Sequence, residues 1–134
     1  VSQSIQELFN ALTRDGAKYG IDAGNIGIYA ASANVTAANE YILGANAAKG
    51  IRAAVLYYGG VPADNARLRL DLPVLFVIAE SDAPRFGNGL TSLWQKVIEQ
   101  RAPWTLTFAS RLPYAFDAFT DTDDARRIIE QTIG

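Results

Sequence analysis

A chain of 134 residues with 49% hydrophobic side chains has the length of one domain, residues 1–134, with a single buried core. No apolar run approaches the ~20 residues that cross a bilayer. Its twelve basic and fourteen acidic residues are scattered without blocks, so neither nucleic acid nor an anionic membrane surface is implied as a partner.

Cysteine and histidine are both absent. That removes disulfides, thiolate metal sites, thiol nucleophiles and every imidazole role from the available chemistry. No Gly-rich phosphate loop of the Walker or dinucleotide type occurs, so no cofactor is expected. Localisation stays open, with the cytoplasm as a default. The chain lacks an initiator methionine and a signal-peptide pattern, begins at Val1 almost inside a helix and stops at Gly134 just after one. The expectation is a piece of something longer.

In chain order, Ile5, Leu8, Phe9 and Leu12 follow helical spacing and predict a helix over about 4–19, with Ser4 and Glu7 in capping-box form. After the Asp22 to Asn25 turn, Ile26 to Ala30 is a short apolar run of the kind buried in parallel sheets. An alanine-rich helix follows over 33–48, with Val35, Ala38, Ile42 and Ala45 on one stripe. A second strand is predicted at 53–58, closed by Gly59 and Gly60.

Residues 61–72 promise no more than one short helical turn. Pro73 opens a β-branched strand over 74–79, and Leu90, Leu93, Trp94, Val97 and Ile98 mark an amphipathic helix with Trp94 in the core. A fourth strand spans 104–108, then a loop over 109–120, then a helix carrying Ala125, Ile128, Ile129 and Ile133. Strands separated by helices imply right-handed crossovers: an α/β fold with a parallel four-stranded sheet flanked by helices. In such sheets the working residues lie just past the C-terminal ends of the strands.

The first of those loops, Tyr29-Ala30-Ala31-Ser32-Ala33-Asn34-Val35, resembles the nucleophile elbow G-x-S-x-G of the α/β-hydrolases. Ala30 and Asn34 stand in the glycine slots. The resemblance extends over the whole chain and is most similar to the dienelactone-hydrolase-like members, corresponding to the C-terminal half of their fold. It implies Ser32 as nucleophile, the Ala33 amide as one oxyanion donor and Asp82, after Glu80-Ser81, as the triad acid. In Arg111-Leu112-Pro113-Tyr114-Ala115-Phe116-Asp117, Tyr114 falls where the family has its histidine. By the same comparison the upstream strands and the second oxyanion amide lie before Val1.

What the resemblance implies is hydrolysis of small esters or lactones, impaired or absent in this chain alone for want of the base and the N-terminal half. Tyr58 and Phe86, with Tyr57, are candidates to line a substrate pocket. A tyrosine base would need a nearby cation to lower its pKa, and Arg111 is the one candidate.

Each residue also has a plainer role. Ser32 suits an N-cap, Asp82 a turn before Pro84, with its neighbours Glu80 and Ser81 open to confusion with it at the acid position, and Tyr114 a cover for the old pocket. Asp117, Asp121, Asp123 and Asp124 lack EF-hand spacing and suit the positive start of the last helix, so no metal is expected. Two other functions compete with hydrolysis. One is a non-catalytic interaction module pairing through an open sheet edge, as a homo-oligomer or with a separate N-terminal half. The other is a flavodoxin- or receiver-like domain, but no carboxylate follows the first strand.

Overall fold

The computed structural model describes residues 2–134, without the side chain of Ser2. Four strands form one parallel sheet in sequence order: β1 (Ile26–Ala31), β2 (Ile51–Tyr57), β3 (Val74–Ala79) and β4 (Trp104–Ala109). The helices are α1 (Ser2–Asp15), α2 (Asn34–Ile42), α3 (Gly89–Gln100), α4 (Phe116–Phe119) and α5 (Asp123–Ile133). Two 3-10 segments, Gly16–Tyr19 and Glu80–Phe86, complete the regular structure. The expected parallel four-stranded sheet with flanking helices is therefore observed.

Alternation along the strands divides the interior between two faces. Leu56, Phe76 and Trp104 pack on one face with Phe9 of α1, Val35 and Ile42 of α2, and Leu93 and Val97 of α3. Tyr57, Val77 and Ala109 pack on the other with Leu112, Phe116 and Ile128. Residues such as Leu56 and Phe76, with no exposed surface, each contribute roughly 1.5–3 kcal/mol of apolar burial. The central strand β3 is buried along nearly its whole length, as its unbroken apolar sequence predicts.

Several boundaries differ from the sequence expectation. The first α-helix begins at Ser2, so Ser4 lies inside it and forms no capping box; its last predicted turn, Gly16–Tyr19, tightens to 3-10. Helix α2 ends at Ile42, six residues early, where Leu43 and Gly44 turn back onto the Asn39 and Tyr41 carbonyls; Ala45 is exposed as a result.

Residues 61–72 hold a turn at Asp64 and Asn65 and no helix. Trp94 is 52% exposed, against the expectation of a core residue, because Leu93 and Val97 are the α3 positions that face the sheet. The 109–120 loop contains α4, and α5 is capped by the Thr122 hydroxyl, which accepts from the Ala125 amide.

Candidate active site

The strand β1 ladder continues one residue past its end: the Ser32 amide donates to the Tyr57 carbonyl at 3.0 Å. The backbone then reverses through Ser32 at φ +60° and enters α2, with the Val35 amide on the Ser32 carbonyl at 3.1 Å. A left-handed conformation costs a non-glycine residue about 1–2 kcal/mol. It also turns the side chain out over the C-terminal edge of the sheet, as in a nucleophile elbow. The hydroxyl does not cap α2; it is hydrogen-bonded to the Tyr114 hydroxyl.

Close packing of strand against helix is enforced next to Ser32 by Gly59, where a Cβ would meet Val35 Cβ at 2.1 Å and the Ser32 carbonyl oxygen at 2.5 Å. Gly60 is held by Asn39, a buried α2 residue whose amide donates to the Gly60 carbonyl at 2.9 Å. Between this glycine pair, the start of α2 and the 3-10 segment after β3 lies a cavity of about 250 Å³, bounded by Ser32, Ala33, Tyr58, Arg85, Phe86 and Tyr114. Five of the seven residues singled out from the sequence for catalysis, oxyanion binding or the pocket thus meet at one opening, Asp82 and Tyr57 being the exceptions. Tyr57 instead turns into the opposite face, where its hydroxyl bonds to Thr132. A larger concavity of about 560 Å³ runs beside Gln3, Gln6, Glu40 and Tyr41, but it gathers no nucleophile.

Asp82 does not line this cavity and adjoins it only through Arg85. It is 4% exposed, and its Oδ1 pairs with Arg85 at 3.1 Å, while Oδ2 is buried with no hydrogen-bond partner among the described residues. Its neighbours tie the Tyr114 loop down: Ser81 Oγ accepts from the Tyr114 amide at 2.9 Å, and Glu80 accepts from the Arg111 amide. The Arg111 guanidinium turns away to Asp124 at 2.9 Å and serves the last helix, not Tyr114. Among the described residues no group of acids forms a metal site.

Two participants escaped the sequence reading. Arg85 lines the cavity and carries the charge opposite Asp82. Asp117 accepts from the Tyr29 hydroxyl at 2.9 Å and from the Tyr58 hydroxyl at 2.5 Å. Desolvation, and then the Asp117 bond, push the Tyr29 hydroxyl up to about 12 and the Tyr58 hydroxyl well above the ordinary tyrosine range. Both donors thus stay protonated across neutral pH.

No family model matches the sequence, and no curated protein does. A solved structure from Klebsiella pneumoniae subsp. pneumoniae, provisionally assigned as a dienelactone hydrolase, matches with a TM-score of 0.78 at 16% identity, over 98% of this chain and 60% of that one. The chain therefore spans about 60% of the length of the protein it resembles. At that identity the likeness concerns the fold. This chain has a partial, dienelactone-hydrolase-like α/β-hydrolase fold.

Proposed function

We propose that the chain carries a serine-hydrolase-type site for small esters or lactones, with Ser32 as nucleophile and the Ala33 amide as an oxyanion donor. Tyr58 and Phe86 line the substrate pocket, and Asp82 holds the acid position. One observation carries the reading: Ser32 sits in a left-handed turn between β1 and α2 with its hydroxyl bonded to Tyr114, the residue in the base position.

In a complete site an imidazole takes the serine proton, a carboxylate orients the imidazole and backbone amides hold the oxyanion. Here a phenol replaces the imidazole. Loss of a triad base costs about 10⁶-fold in rate, so the chain alone turns esters over at close to background. p-Nitrophenyl acetate hydrolysis is expected to be the same for the parent chain and Ser32→Ala. With an imidazole supplied by Tyr114→His, prolonged exposure to a fluorophosphonate is expected to add mass at Ser32, and nowhere once Ser32→Ala is added. Labelling at other serines alone, or none, sinks the reading, and brisk serine-dependent turnover would assign Tyr114 or an outside group the work of the base.

The alternative, a module pairing through its sheet edge, is favoured by a specific feature. Strand β1 has a neighbour on one side only among the described residues, and beside it runs an apolar groove of about 380 Å³ between Ile5, Leu8 and Leu12 of α1 and Ile26, Ile28 and Tyr29 of β1. No charged residue lines that groove, although charges commonly guard exposed edges. Light scattering at rising concentration is expected to show self-association on this reading; a clean monomer excludes pairing between copies.

A further inference from the structure

We infer that Asp117 is a positioning residue for the Ser32–Tyr114 pair, acting through the ring of Tyr58; the inference rests on the reading of Ser32 as nucleophile. Asp117 is far in sequence from the tyrosines it binds, by 88 residues for Tyr29 and 59 for Tyr58. It uses a different carboxylate oxygen for each: Oδ2 for Tyr29 and Oδ1 for Tyr58.

The Tyr58 ring meets Tyr114 edge-on, with centroids 5.0 Å apart at 64°, and rests on Phe116 at 5.9 Å. Tyr58 is 6% exposed, whereas Tyr114 is 40% exposed and open to solvent on one side. The lateral position of the Tyr114 ring, and with it the approach of its hydroxyl to Ser32, is therefore set by the buried ring beside it.

Tyr58 also needs an anchor of its own. Its backbone lies at φ +38°, a conformation that a bulky residue holds only when its surroundings over-determine it. The amide on Val77 at 2.7 Å and the hydroxyl on Asp117 fix the two ends of the residue. Asp117 reaches it because Ala115, at φ +56°, starts α4 directly after Tyr114. One short segment thus supplies both the tyrosine facing Ser32 and the carboxylate that steadies its neighbour.

The test uses the chain labelled with 3-fluorotyrosine and fluorine NMR, the Tyr114 line being assigned by its loss in Tyr114→Phe. In Asp117→Ala and in Tyr58→Phe, which keeps the ring and loses the bond to Asp117, the Tyr114 line is expected to shift towards that of the exposed Tyr19 and to narrow. The double variant should shift it no further. Tyr29→Phe, which frees the other carboxylate oxygen, should leave the line in place.

An unmoved Tyr114 line in the first two variants overturns the inference, as does an equal shift in Tyr29→Phe. Should Asp117→Ala fail to fold, Tyr58→Phe decides alone. Absence of fluorophosphonate labelling at Ser32 in Tyr114→His would count against the hydrolase reading and leave the fluorine result to judge Asp117.

Discussion

Tyr114→His is expected to raise p-nitrophenyl acetate turnover by about 10²-fold over the parent chain, the lower end of what a positioned general base contributes. Adding Ser32→Ala should erase the gain. Side chain 114 already reaches the Ser32 hydroxyl, and its loop is pinned by the Tyr114 amide on Ser81 and the Arg111 amide on Glu80. An imidazole is shorter than a phenol, so the substitution opens the close contact with Ser32 without requiring the loop to move. The next residue after Ser81 is Asp82, whose buried Oδ2 has no hydrogen-bond partner among the described residues. That oxygen is an acceptor of the kind that fixes the tautomer of a catalytic imidazole. Serine-independent turnover, or none, would show that the Ser32 and Asp82 positions do not form a working frame.

The second large effect concerns stability. Gly59→Ala is expected to cost about 3 kcal/mol, the upper end of the usual penalty for overpacking, read as a lowered midpoint in urea at unchanged slope. The added methyl meets the Val35 side chain at 2.1 Å and the Ser32 backbone oxygen at 2.5 Å, and neither can yield without moving α2 or the elbow. Gly60→Ala is the matched comparison. Its methyl meets the Thr36 hydroxyl at 2.6 Å, a side chain free to change rotamer, so its cost should be clearly smaller. Equal costs would mean that the strand-to-helix approach at Gly59 is looser than its geometry indicates.

The two variants mark the boundary of what the sequence makes legible. Strands β1, β3 and β4 stand out as short uncharged runs, and β3 was delimited to the residue because burial on both faces leaves no polar position inside it. Ser32, Ala33, Tyr58, Phe86 and Tyr114 were legible because each sits just after a strand or in a loop whose order matches a known layout. The early stop of α2 was not, since Ala45 continues the helical stripe and the turn at Leu43 and Gly44 depends on local hydrogen bonds.

Trp94 was misplaced for a related reason. Apolar periodicity identifies a face, but five apolar residues in α3 were more than the sheet could cover. Asp117 left no signal because its tyrosine partners are brought near only by tertiary folding, whereas Arg85 pairs with Asp82 three residues back in one 3-10 segment, a local spacing that was there to be read. Asp117 in particular looked like one of several acids at a helix start.

The order of the sheet bears on how the molecule forms. Among the described residues each strand pairs with the next one in the chain, β1 with β2, β2 with β3 and β3 with β4, so none of these four has to insert between two already joined. Every pairing closes a loop of similar, moderate length, and loop-closure entropy rises slowly with length. Assembly can therefore run along the chain in one direction, each strand adding to a growing edge as it leaves the ribosome. The Ser32–Tyr114 contact, which joins the turn after the first strand to the loop after the last, closes only when that progression is complete.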